Sequence, residues 1–209
     1  MKFKISALVV IILCVLISFI DPIFPKYQYL QHAGTLVIIL PLIHDLKQKN
    51  MGFVSFFCLV LFALLHILGA YYIYSFVPYQ EWFSWILNSE TGFWITERNH
   101  FDRFVHFCFG LLFFPYTLEV IKGFSNGKFL SSLFIAFLSI QTFSMIYELF
   151  EWSLTFLMAN GAEDYNGQQG DSWDAHKDMA LAMLGSLISA CLCLIYFKKT
   201  KRYEKPISN

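Results

Sequence analysis

Long apolar runs set the first limit on what this chain can become. A helix that crosses a bilayer needs about 20 largely apolar residues to span roughly 30 Å of hydrocarbon. Six such stretches follow one another, at about residues 5–24, 29–43, 53–76, 101–121, 129–158 and 179–197. The second is short and holds Pro41, which marks it as tilted or kinked. The expectation is an all-α, polytopic membrane helix bundle of about six transmembrane helices, forming one domain over residues 1–209. Composition agrees, with 57% hydrophobic and 14% charged residues, where a soluble domain carries about a quarter charged and under half apolar. Lys2 and Lys4 before the run Ile5 to Ile20 look like a signal peptide, but Asp21-Pro22-Ile23-Phe24-Pro25 offers no small-x-small cleavage site. The run is therefore read as the first span.

The basic residues are placed asymmetrically. With six spans, Lys2, Lys4, Lys47, Lys49, Lys122, Lys128, Lys198, Lys199, Lys201, Arg202 and Lys205 fall on one side, and only Lys26, Arg98, Arg103 and Lys177 on the other. Positive charge marks the cytoplasmic face, so both termini are expected inside. Five spans would put Lys47 and Lys49 outside and spoil the pattern. The two longest loops, about residues 77–100 and 159–177, then lie outside. The first is rich in Tyr79, Trp82, Trp85 and Trp94, side chains suited to the lipid–water boundary, and Tyr79 to Leu87 reads as a short interfacial helix. Neither loop exceeds about 25 residues, too few for a core of its own. The bilayer is therefore the chain's main partner, and any activity must be built from the spans and their rims. No basic face argues for nucleic acid. The five cysteines, Cys14, Cys58, Cys108, Cys191 and Cys193, sit inside apolar runs without disulfide or zinc spacing and read as small apolar residues.

The polar residues near the membrane gather at the outer ends of the last three spans. Asp102, Arg103 and His106 enter with the fourth, and Asp102 and His106, four apart, share a helical face. The fifth runs outward from Lys128 and reaches Glu148 after about 30 Å, bringing Tyr147, Glu148, Glu151 and Trp152 to the boundary. Asp171, Asp174, His176, Lys177 and Asp178 precede the sixth, and a helical start there would line up Asp171, Asp174 and Asp178. Charges near hydrocarbon are costly and usually face a bundle interior or a wet cavity. So many carboxylates together repel unless paired, protonated or bridged by a cation. Arg103 and Lys177 can neutralise two. For the rest, a hard divalent cation or a carboxyl held protonated is the natural answer, with Glu148, Asp171, Asp174 and Asp178 as candidate metal ligands and Asp102, His106, Glu148, Glu151 and Asp178 as the candidate catalytic set.

Each has a plainer reading. Asp171 and Asp174 can be solvated loop residues, Asp178 a helix-dipole partner, and His106 a bundle hydrogen bond. His66 reads as structural and His44-Asp45 as a loop pair. Gln141 and Ser139 read as interhelical bonds, and Gly185 with Ser189 as a small-residue packing stripe.

The runs Asn99-His100-Phe101-Asp102-Arg103-Phe104-Val105-His106-Phe107, Tyr147-Glu148-Leu149-Phe150-Glu151-Trp152 and Gly170-Asp171-Ser172-Trp173-Asp174, with Asp178 and Gly185, resemble the YjdF family of bacterial inner-membrane proteins. The likeness covers essentially the whole chain and implies a bacterial cell inner membrane. The order Asp-basic-x-x-His, Glu, Asp-x-x-Asp and a glycine more distantly resembles the VanZ-like proteins of the cell envelope, which differ around Glu151 and Asp178-Met179. Three functions remain open: a binding or hydrolytic site for lipid head groups or cell-envelope molecules at the outer face, a membrane scaffold or regulatory subunit, and a proton- or cation-coupled transporter. The last lacks the inverted repeat and paired broken helices common in such carriers.

Overall fold

The computed structural model describes residues 2–87, 97–124, 128–157 and 169–200. Among these residues there is no strand, and seven helices follow in order: α1 (Lys2–Ser18), α2 (Pro25–Gln48), α3 (Phe53–Tyr71), α4 (Tyr79–Leu87), α5 (Phe101–Phe124), α6 (Phe129–Leu157) and α7 (Asp174–Thr200). Trp94, Met158, Lys201, Arg202 and Lys205, used in the sequence reading, lie outside the described residues.

Helix bounds differ from the hydropathy runs where local chemistry intervenes. α1 stops at Ser18 rather than Phe24, and Asp21 takes a left-handed backbone (φ 52°) just before Pro22. α2 is longer than its apolar run at both ends. Pro25 stands in its first turn, where no backbone N–H is needed. The helix closes at Lys49, in the left-handed region at φ 55°, whose N–H donates to Asp45 O at 2.8 Å. α3 ends at Tyr71, before Ile73 and Tyr74 adopt φ of 46° and 51°. α7 starts at Asp174 instead of 179, so Asp174 and Asp178 are helical and Asp171 precedes the helix.

Four helices (α3, α5, α6 and residues 174–199 of α7) are long and apolar enough to cross a membrane. α1 has 17 residues, about 26 Å. α2, with 24 residues, is long enough but carries an inward polar side. Gln28, Gln31, His32, Thr35 and Asp45 are buried, while Leu36, Val37 and Leu40 face outward at 68%, 67% and 61% exposure. Polar within and apolar without is the pattern a bilayer imposes. Inside, Gln28 Nε2 donates to Ser18 O, and His32 bonds Ser18 and Thr35. His66 bonds Gln31 O and the Tyr74 hydroxyl, as the structural reading expects. His44 and Asp45 form no loop pair: they lie in α2, and Asp45 is buried, ion-paired to Lys4 and accepting from Met51 N. An apparently terminal dipeptide was helical because the α2 hydrogen-bond ladder outlasts its apolar run.

α5 is the central helix, packed most extensively on α7 and then on α3 and α6, while α3 also carries α1 and α2. Small residues set the closest approach. A Cβ on Gly110 would fall 1.9 Å from Ala182 O, and one on Gly185 would fall 2.1 Å from Phe107 O. The α5 and α7 backbones thus touch, as the Gly185 stripe suggests. Gln141 bridges helices by donating to Ser186 Oγ at 2.9 Å, whereas Ser139 bonds only Ile135 O in its own helix. Lys4 meets Asp45, Gly52 N meets Glu119, and the Phe129 and Phe197 rings stack at 4.0 Å. These contacts gather the start of α1 and the end of α7 at the same end of the bundle. The five thiols are free.

Candidate functional site

At the other end of the bundle, three helices contribute to one buried polar junction. α5 supplies Asp102 and His106 one turn apart, α6 supplies Glu148 and Glu151, and α7 supplies Asp178. All five are buried. The α5–α7 backbone contact at Gly110 and Gly185 holds these two walls close, so Asp102, His106 and Asp178 face one another across it. His106 Nε2 lies 3.5 Å from Glu148 Oε1 and 3.8 Å from Asp102 Oδ1, and the Tyr147 ring stands 5.7 Å from the His106 ring.

Two trios emerge, Asp102–His106–Asp178 and His106–Glu148–Glu151, each with ligand atoms within 4.8 Å of one another. A cation held at about 2.0–2.6 Å needs ligand atoms roughly 3–4 Å apart, so small side-chain movements bring either trio to coordination distance. Glu148 Oε1 and Asp178 Oδ1 are buried without a hydrogen-bond partner. Such atoms normally find one, and four carboxylates around one imidazole repel unless protons or a cation intervene.

Asp171 and Asp174, the two remaining acidic candidates, lie in neither trio. Arg98 and Arg103 both donate to Asp174 Oδ1, Arg103 also reaches Asp171 Oδ2, and Lys177 donates to Asp171 Oδ2 at 2.6 Å. Asp171 Oδ1 accepts from Trp173 N at 3.0 Å, starting the turn into α7. Hydrogen bonds from Lys177, from the Trp173 N–H and from Arg103 hold the Asp171 carboxyl well below the usual carboxylate range. Burial, and then the Arg103 and Arg98 charges, keep His100 below the ordinary histidine value. The rim is thus a ring of ion pairs above a buried acidic floor gathered around His106.

A cleft of about 360 Å³ opens beside this floor between α6 and α7, lined by Met145, Glu148, Leu149, Glu151, Trp152, Ser172, Asp174, Ala175, His176 and Met179. Its acidic lining residues, Glu148, Glu151 and Asp174, are buried. Met145, Leu149 and Trp152, at 46%, 52% and 59% exposure, share the outer face of α6.

Sequence reasoning missed Ser144. Hydroxyls elsewhere in the spans back-bond their own helices, as Thr117, Ser139, Thr142, Ser153 and Ser186 do. Ser144 Oγ, fully buried one turn below Glu148, has no hydrogen-bond partner. Its spacing of four from Glu148 was visible in the chain, but its unused hydroxyl was not. Arg98 entered the sequence reading only as a loop charge, and its convergence with Arg103 on one carboxylate oxygen depends on tertiary structure.

Apolar helices with lipid-type exposure, packed around buried polar groups at one end, define a multi-pass α-helical membrane protein in contact with the bilayer. The chain belongs to the family described as "Predicted membrane protein (DUF2238)", which matches residues 3–199. It is similar to the inner membrane protein YjdF of Escherichia coli (strain K12), with 26% identity over 186 residues, covering 85% of this chain and 83% of that protein. No solved structure matches it.

Proposed function

We propose that the junction of α5, α6 and α7 is a cation-dependent site that binds or hydrolyses a lipid head group or related cell-envelope molecule at the outer face of a bacterial inner membrane. The observation that carries this reading is the pair of buried oxygens that make no hydrogen bond, Glu148 Oε1 and Asp178 Oδ1, at the His106 junction beside a cleft. Asp102, His106 and Asp178 hold a divalent cation, with Glu148 and Glu151 completing its surroundings. The mixed oxygen and imidazole donors suit manganese or zinc as well as magnesium. When bound, the cation supplies Lewis-acid polarisation and an acidified water. In the hydrolytic form of the reading, Glu148 would be the carboxylate placed to take a proton from the attacking water. Asp171 and Asp174, offered by the sequence as ligands, serve here to hold the arginines of the rim.

Six crossings with both termini cytoplasmic fit the gathering of the basic residues, and the inner-membrane relative supports the location. Cysteines replacing Lys2 and Lys198 should then react with an impermeant thiol reagent from the same, cytoplasmic side. Labelling from opposite sides would remove the six-span reading.

The transporter alternative needs a path beyond the junction. Phe114, Leu118, Ala136, Ile140 and Ala190 pack as a buried apolar cluster farther along α5, α6 and α7, which favours a dead-end site. The scaffold alternative draws on the tight α5–α7 contact but leaves the unpartnered oxygens without a role.

The test is elemental analysis of protein purified in mild detergent. Wild type should carry a near-stoichiometric divalent metal that is lost in Asp178→Asn and in His106→Gln while both variants stay monodisperse. A metal-free wild type, after reconstitution with magnesium, manganese and zinc in turn, would sink the cation reading.

A further inference from the structure

The rim above the acidic floor contains an anion site already filled by one of the protein's own side chains. Arg98, from the segment before α5, and Arg103, from its first turn, both direct an N–H at the same oxygen, Asp174 Oδ1, with Arg103 at 3.1 Å. The two guanidinium side chains are only 15% and 16% exposed. Two converging guanidiniums form a clamp shaped for the several oxygens of a phosphate, whereas a carboxylate offers two oxygens and one charge. Arg103 Nε, moreover, is buried with no hydrogen-bond partner, so the clamp holds a donor that Asp174 leaves unused. Among the described residues, the ion pairs of Arg98, Arg103 and Lys177 run to Asp171 and Asp174.

Asp174 also lines the α6–α7 cleft, beside Ser172 and His176. α6 lines the cleft with Met145, Leu149 and Trp152 from its apolar outer face and with the buried Glu148 and Glu151. The two arginines do not line the cleft themselves and meet it through Asp174, while α6, which carries apolar residues of its lining, is long enough to span the membrane.

We propose that Arg98 and Arg103 form the head-group clamp of this cleft, that its ligand is the phosphate monoester of a membrane lipid, and that Asp174 is the resident carboxylate which this phosphate displaces. A monoester brings about −1.5 to −2 charges and three strong acceptors, enough to replace Asp174 and engage Arg103 Nε. The inference rests on the lipid head-group reading above but not on its cation.

The sign of one substitution separates this clamp from a purely structural ion pair. Binding of short-chain phosphatidic acid, phosphatidylglycerol of the same chain length, and inorganic phosphate is measured by isothermal titration on detergent-solubilised protein. Each titration is run with and without chelator. Phosphatidic acid should bind best, phosphatidylglycerol and inorganic phosphate each at least about tenfold more weakly. Asp174→Asn removes the competitor and should tighten phosphatidic acid binding by about tenfold. Weaker or unchanged binding in a variant with an unaltered melting temperature overturns the proposal. So does equal binding of the two lipids. Inorganic phosphate binding as tightly as phosphatidic acid would make the ligand free phosphate and overturn the lipid assignment. If Asp174→Asn does not fold, Arg103→Lys decides: it keeps the charge but loses the fork, and should weaken phosphatidic acid binding by about tenfold. No change in that variant overturns the clamp. Binding that survives chelator and tightens in Asp174→Asn keeps the clamp while counting against the cation centre. Binding lost only on chelation does the reverse.

Discussion

Exchanging Glu148 for glutamine should move the protein's stability in opposite directions with and without a divalent cation. The amide keeps the shape of the buried side chain and removes its charge. In its trio the ligand atoms lie within 4.8 Å of one another. Two unit charges at that separation repel by about 3 kcal/mol at an effective dielectric near 20. In chelator, Glu148→Gln therefore relieves strain from each ionised neighbour, and the variant should melt at or above the wild-type temperature. With cation the order reverses. A wild-type protein at a cation concentration about 100 times its Kd gains about 2.7 kcal/mol. If loss of this neighbouring carboxylate charge weakens binding about 100-fold, the gain at the same concentration falls to about 0.4 kcal/mol. The assay is thermal unfolding in mild detergent, followed by tryptophan fluorescence, with EDTA and then with magnesium, manganese or zinc. Two results would refute the reasoning: a wild-type melting temperature indifferent to every cation, or a Glu148→Gln variant that melts well below wild type in EDTA. The second would mean that Glu148 is an ordinary hydrogen-bonded structural group.

Ser144→Ala should leave the melting temperature in chelator within about 0.5 kcal/mol of wild type, since its hydroxyl makes no hydrogen bond to lose, yet reduce cation or ligand affinity in the same titrations. Gly110→Ala, by contrast, forces a methyl to within 1.9 Å of Ala182 O; the α5–α7 pair must separate at a cost of about 1–3 kcal/mol or more, read as lost monodispersity on size exclusion and a lowered melting temperature. At the opposite end of the bundle, Lys4→Gln leaves the buried Asp45 carboxylate without its ion-pair partner. Because Lys4 is itself partly exposed, the expected loss is about 1–3 kcal/mol, with cation content unchanged; Lys4→Gln combined with Asp45→Asn should recover most of it.

Much of this architecture was legible in the chain. Apolar runs of spanning length located most of α3, α5, α6 and α7, because lipid solvates only outward apolar side chains and the backbone must satisfy itself within helices. The i to i+4 spacing of Asp102 and His106, and the i to i+3 spacing of Glu148 and Glu151, placed each pair on one face before any packing was known. α2 was harder to read. Its Gln28, His32, Thr35 and Asp45 lower its hydropathy, and only their buried hydrogen bonds to neighbours explain why a helix with those residues extends to Gln48.

The sequence by itself determined that this is a multi-pass helical membrane protein whose acidic groups collect at one end, since hydropathy and helical period act locally along the chain. Tertiary structure decided how those groups divide. It gave Asp171 and Asp174 to Arg98, Arg103 and Lys177, and it left Glu148 and Asp178 with unpartnered oxygens around His106. Six acidic side chains at similar depth are equivalent in a linear reading. They become distinct only when the glycine contact between α5 and α7 fixes which of them lie within reach of an arginine and which are closed off from one.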